Sequence, residues 1–222
     1  MSDPTNHAAR NVAMFDAWAP TFDNKRFDLF RRMQKRVLDM LELREDSVLL
    51  DIGCGTGWAV RAAAEMVGPG GSAYGVDLSP QMIQSATKAA HGIENAHFKT
   101  ANAEKLPFEA SSFDFIICTM SFHHYLDPGK AVAEMARVLK PGGKVCIVDP
   151  TADSVILRLA DACVKRREPE HVGFYSSTDF RQFFEGSGLR SADSRRVMFF
   201  GLAAKAHFAA KEWARNTRTP SP

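Results

Sequence analysis

The sequence predicts an α/β protein organised around a mostly parallel sheet, and three observations carry that expectation. Strand-like apolar runs alternate with helix-like amphipathic ones between residues 48 and 148, the pattern of βαβ units. The first of these runs leads into a glycine-rich turn. The 222 residues, 45% hydrophobic and 24% charged, suit one globular domain with a substantial core.

Taken in chain order, Asn6 to Trp18 is expected to be helical. Phe27, Phe30, Met33, Val37, Met40 and Leu41 recur at helical spacing and predict an amphipathic helix over Lys25 to Leu43, packed on the sheet. Five strands are expected at Val48 to Ile52, Ala73 to Val76, Ala96 to Lys99, Phe113 to Thr119 and Lys144 to Val148. Between them, Trp58 to Val67 should be a helix. Ser79-Pro80 and Asp127-Pro128 each supply an N-cap followed by proline at the first helical position. Pro141-Gly142-Gly143 should stop a helix over Ala131 to Lys140. Further on, Asp153 to Arg167 is expected as a helix and Glu168 to Ser176 as a loop. Ser177 or Thr178 should cap a short helix ending at Gly186-Ser187-Gly188. Val197 to Phe200 and Leu202 to Phe208 should form a terminal hairpin, with Asn216 to Pro222 disordered. No internal repeat is present.

Composition narrows the function. A net charge of +2, from 28 basic and 26 acidic side chains, provides no overall field for nucleic acid or an anionic membrane. Cys54, Cys118, Cys146 and Cys163 have no metal-ligand spacing, and three of them lie in apolar runs expected to be buried. Neither a zinc site nor a disulfide framework is expected, and a reducing compartment fits. The polar segment Met1 to Arg10 has no signal-like apolar region, and no run approaches the roughly 18 apolar residues of a spanning helix. A cytoplasmic protein without membrane insertion, monomeric or homodimeric, is expected.

Val48-Leu49-Leu50-Asp51-Ile52-Gly53-Cys54-Gly55-Thr56-Gly57 is the most informative segment. Its glycines let the backbone turn sharply and bring N–H groups and a helix N-terminus against a ligand. Asp77 closes the second strand, where a carboxylate can accept from both ribose hydroxyls of an adenosine cofactor. Trp58 stands where the dinucleotide fingerprint wants a third small residue, which argues against NAD. No Lys-Ser or Lys-Thr pair follows the glycines, so a P-loop is excluded.

This segment resembles motif I of the class I S-adenosylmethionine (SAM) dependent methyltransferases, and further blocks follow in the family's order. Tyr74-Gly75-Val76-Asp77-Leu78-Ser79 is similar to the ribose-binding strand end. Asn102-Ala103-Glu104-Lys105-Leu106-Pro107-Phe108 resembles the block beside adenine, Ser112 to Cys118 the fourth strand, and Arg137 to Lys144 the entry to the fifth. The nearest branch is the small-molecule group related to the ubiquinone and menaquinone C-methyltransferases. The resemblance implies a Rossmann-like, mostly parallel seven-stranded sheet with a C-terminal antiparallel hairpin and helices on both faces. It implies one domain over 1–215: N-terminal helices and lid at 1–45, a cofactor-binding core at 46–150, and acceptor-side helices with the hairpin at 151–210. SAM is the implied cofactor. It would be held by Asp51, Gly53, Cys54, Gly55, Gly57, Asp77, Leu78, Met82, Asn102, Ala103, Glu104, Cys118, Thr119 and Phe22, with no metal. Position 102 departs from the family, which usually has Asp there; an amide can still accept from the adenine amino group.

Methyl transfer needs donor and acceptor held in line and a base where the acceptor loses a proton. The switch-point rule puts the acceptor beside Thr119 to Tyr125, so His123 and His124 are candidate catalytic bases; packing or helix capping is the alternative. The acceptor is expected to be a small molecule, with no nucleic acid. Trp18 and Phe22, together with residues 153–176, should roof the pocket. Trp18 and Phe22 could equally be plain helix packing. Lys165-Arg166-Arg167 could meet an anionic acceptor or simply be solvated. A non-catalytic SAM-binding module is the competing reading.

Overall fold

The computed structural model describes residues 4–22, 28–168, 170–199 and 202–212. Five strands form where the apolar runs lie: β1 (Val48–Ile52), β2 (Ser72–Asp77), β3 (Ala96–Thr100), β4 (Phe113–Thr119) and β5 (Leu139–Pro150). They pair in parallel, and β6 (Arg190–Phe199) and β7 (Leu202–Ala210) complete a seven-stranded sheet in the order β3-β2-β1-β4-β5-β7-β6. β7 is antiparallel to both of its neighbours.

Side chains along the central strands alternate between two cores, as the two-residue period of a strand requires. Leu49, Phe115 and Ile117 face α2 (Asp28–Leu41) and α3 (Trp58–Val67), whose Val37, Leu38, Val60 and Ala63 are fully buried. Leu50, Ile116 and Cys118 face the opposite layer. There α5 (Pro128–Val138) contributes Val132 and Met135, and α7 (Ser177–Gly186) contributes Phe180 and Phe184. Burying a side chain of this size contributes about 1.5–3 kcal/mol, so both faces hold the sheet. α4 (Pro80–Ala89) starts as expected, with Ser79 Oγ accepting from Met82 N at 3.0 Å.

Several boundaries differ from expectation. The helix leading to β5 ends at Val138, and Pro141-Gly142-Gly143 lies within the strand instead of stopping the helix. The cause is local: Leu139 already pairs with Phe113, and the register slips before Lys144 meets Phe115. Gly142, at φ 81°, turns through the irregularity. The hairpin strands are longer than predicted, because β7 pairs with β5 along Lys144 to Pro150 and with β6 from Arg190 to Phe199. Phe200 lies outside the described residues, as do Lys25 to Phe27 and the tail from Asn216. Ser176, one residue before the expected caps, caps α7 in a reciprocal box with Asp179. Upstream, α1 (Pro4–Trp18) covers the predicted N-terminal helix, and α6 (Val155–Arg167) follows β5. The buried Cys54, Cys118 and Cys146 and the exposed Cys163 are all free thiols.

Candidate functional site

The strand order reverses between β1 and β4, and in an open α/β sheet the crevice forms outside the carboxyl ends at that point. A cavity of about 170 Å³ lies there, open to solvent on one side. One wall is the glycine loop. Val76 O accepts from Gly53 N at 2.8 Å and Cys54 N at 3.0 Å, folding the loop back onto β2. Gly53 has φ 75° and Gly57 φ 74°, a region costly for any side chain. Space is short too: a Cβ at Gly57 would meet Ala86 at 2.9 Å, and one at Gly53 would strike the Ser121 side chain.

Asp77 organises the loop as well as lining the cavity. Its Oδ2 accepts from Gly55 N and its Oδ1 from Ser79 N, both at 2.9 Å. Asp51 sits in β1 with no exposure, and neither carboxylate oxygen has a hydrogen-bond partner. Burial, followed by the charge of Asp77, pushes its pKa up to about 8. The carboxyl groups that line the cavity, Asp77 and Glu104, stand beside a loop of backbone donors and suit a ligand with a positive centre and hydroxyls. SAM has both, so the residues present fit it. Asn102 lines the far end; its Oδ1 accepts from Glu104 N at 2.8 Å and fixes the local turn.

Of the cofactor residues expected from sequence, Gly53, Cys54, Gly55, Asp77, Leu78, Met82, Asn102, Ala103, Glu104, Thr119 and Phe22 line this cavity. Asp51, Gly57 and Cys118 stand behind it. Cys118 Sγ lies 3.2 Å from Ser121 Oγ and 3.4 Å from Tyr125 OH. Both hydroxyls donate to Ile52 O, tying the loop after β4 to the end of β1.

The two histidines part company. His124 lines the cavity; its Nδ1 is 3.3 Å from Glu170 O and burial pushes its pKa down to about 2. An imidazole whose Nδ1–H donates to a carbonyl keeps Nε2 as an acceptor. His123 is not at the cavity. Its Nδ1 lies 2.9 and 3.1 Å from the carboxyl oxygens of Asp149, which has no exposure. Burial pushes His123 down to about 3 and the Asp149 carboxyl well up, so charge is disfavoured on both members.

A second wall comes from α1, where His7, Asn11 and Phe15 share one face and line the cavity. Asn11 Nδ2 donates to His124 O at 3.3 Å, and the Phe15 ring stands edge-on to His124 with centroids 5.1 Å apart. Sequence reasoning missed these three, although the four-residue spacing along α1 was there to be found, and it reached Tyr125 only as the end of the loop beside the acceptor. Asp16 fastens the helix from the other side, accepting from Ser79 Oγ at 2.5 Å and Gln81 N at 3.2 Å. Phe22 lies over the glycine loop, 3.4 Å from where a Gly55 Cβ would stand. Trp18 does not join it: it is 45% exposed and stacks edge-on with Phe15. Residues 170–173 cover the histidines, with Val172 N donating to His123 O at 2.8 Å and Glu170 3.7 Å from Arg10. Lys165, Arg166 and Arg167 end α6 away from the cavity lining.

Comparison with known proteins agrees with this geometry. Residues 50–147 match the methyltransferase domain model. The uncharacterized methyltransferase YcgJ of Bacillus subtilis is 35% identical over 70% of this chain and 62% of its own. Demethylmenaquinone methyltransferase of Staphylococcus aureus is 35% identical over 55% of this chain and 51% of its own. The chain thus spans less than two thirds of the length of these curated relatives. A SAM-dependent methyltransferase from Aquifex aeolicus superposes with TM-score 0.68 at 25% identity, covering 87% of this chain and 97% of that one. The matched segment, the order of the sequence blocks and the reversal of strand order coincide, and residues 50–147 belong to the methyltransferase domain family in its class I, SAM-dependent form.

Proposed function

We propose that the protein methylates a small, uncharged acceptor carrying a hydroxyl or a comparable proton-bearing group. The observation that supports this reading is the asymmetry of one cavity. Its carboxylates, Asp77 and Glu104, stand on the cofactor side. The facing wall of His7, Asn11, Phe15, His124 and Tyr125 includes no Lys, Arg, Asp or Glu among the described residues. A charged acceptor would be desolvated there without a counter-charge, at a cost of several kcal/mol.

When bound, SAM supplies the activated methyl group. The chain's own residues do the rest. The glycine loop and Asp77 would hold the ribose end, and Asn102 would meet the adenine. Phe15 and Phe22 exclude water. His124, uncharged at neutral pH, offers Nε2 to the acceptor's proton-bearing group and sets its direction. His123, held by Asp149, fixes the loop that carries His124 and is a positioning residue. His124→Gln should lower turnover by up to about a hundredfold with SAM affinity kept. His123→Gln should lower stability first.

The reading is tested by calorimetry with SAM, together with S-adenosylhomocysteine formation over a panel of phenols, enols, amines and carboxylates. Turnover with uncharged hydroxyl compounds is expected. SAM binding without product formation across the panel would make the chain a binding module.

A further inference from the structure

Outside the cavity, α6 is the one described helix longer than one turn in which no residue is buried. Val155, Ile156 and Leu159 are 71%, 78% and 64% exposed, the most exposed large apolar side chains among the described residues. Ala162 and the thiol of Cys163 continue this face, both exposed. The inward side is held by polar contacts. Arg158 Nε donates to Ala152 O at 2.9 Å, and Asp161 accepts from Phe174 N at 2.8 Å and lies 2.6 Å from His171 Nε2. At its carboxyl end the helix carries Lys165, Arg166 and Arg167. Its charges are four cations, including Arg158, against Asp161 alone.

We infer that α6 is a peripheral docking helix for an anionic lipid bilayer, its Val155-Ile156-Leu159 face entering the headgroup layer while Arg166 and Arg167 meet lipid phosphates. Contiguous exposed apolar side chains mark interaction surfaces, and a basic cluster beside them is the composition of an interfacial helix. Charge complementarity selects the occupant. A second copy would set one cationic helix against another. Residues 213–222 carry Arg215 and Arg218 and no acid, so they offer no counter-charge to the basic end. The helix leaves the carboxyl end of β5, on the edge of the sheet that holds the cavity, and is tied through Asp161 to the segment covering His123. Adsorption by α6 would therefore face the covered side of the site toward the bilayer. This is surface binding, since no described helix is long and apolar enough to cross a membrane.

The test is flotation of the full chain with vesicles of phosphatidylcholine alone, or of phosphatidylcholine and phosphatidylglycerol in equal parts. Binding to the anionic vesicles only, weakened by salt, is expected. Arg166→Gln with Arg167→Gln should weaken it roughly 25-fold, at about fivefold for each cation. Ile156→Ser with Leu159→Ser should weaken it comparably, with SAM affinity unchanged as the control for folding. Absence of vesicle binding would overturn the inference, as would binding that survives both double variants. Sedimentation showing a dimer that Ile156→Ser with Leu159→Ser dissolves, without vesicle binding, would assign the face to a second copy instead. The readout needs no turnover, so it stands or falls apart from the methyl-transfer reading.

Discussion

Asp77 takes on two tasks with one carboxylate. Each oxygen already receives a backbone N–H, from Gly55 and Ser79, and the remaining lone pairs are what a ribose can use. Asp77→Ala should therefore weaken SAM binding by about 1.5–3 kcal/mol, roughly ten- to a hundredfold, because the ligand loses its acceptor and the loop its anchor. Unchanged affinity by calorimetry would remove Asp77 from the site. Asn102 uses one lone pair of its carbonyl on Glu104 N, which leaves a second lone pair as an acceptor for adenine and the amide nitrogen as a donor. Asn102→Asp keeps the turn and replaces that donor by a charged acceptor, so SAM should bind equally well or more tightly. A large loss would show that the amide's donor is what adenine needs.

At the level of elements, α1 is a lid fastened at both ends. Asp16 caps the start of α4, while Arg10 and Asn11 reach Glu170 and His124. Asp16→Ala should speed SAM dissociation by about tenfold, through the loss of a charge-assisted bond in a partly exposed site. Stopped-flow release measures this. Deleting residues 1–23 should abolish turnover yet leave a folded sheet by circular dichroism, since β1 begins only at Val48. Retention of full activity would dismiss the lid. The strands of the core were legible because β1 and β4 are buried on both faces and stand out as predominantly apolar runs, each interrupted by a single aspartate. The glycine loop was legible because its spacing is chemical. Only the end of β6, from Val197, was legible: Ser191 to Arg196 is polar and largely exposed, and only pairing with β7 makes it a strand. Pro141-Gly142-Gly143 misled because those residues end a helix and shape a bulge equally well. The face of α1 is written in its spacing, but what it faces is decided by docking.

For the whole molecule, buried ionisable groups set the response to pH. Burial pushes His123 to about 3, His124 to about 2 and His207 to about 4. The unfolded chain takes up these protons near pH 6.5. Depressed folded values mean that stability is full above about 6.5 and falls as pH drops toward 4, by up to about 1.4 kcal/mol per pH unit for each histidine. Asp51, at about 8, and Asp149, raised, act with the opposite sign. The folded state keeps protons that the unfolded chain has released, so their contribution is lost as pH rises toward 8. Urea unfolding should accordingly show a stability maximum near pH 6.5. His207→Phe, replacing a ring that stacks on Phe180 at 4.0 Å, should flatten the acid limb, and an unchanged limb would exclude His207 as a source.

The strand order has a consequence for biosynthesis. Among the described strands β7 is made after both β5 and β6, yet it sits between them. While translation continues, β5 has a bare apolar edge and β6 has no partner. Earlier elements can assemble as they emerge, but the sheet closes only once β7 has left the ribosome and can slide into the gap. Until then the nascent chain shows an unpaired edge of the kind that invites aggregation, and this is the interval in which a chaperone would find it.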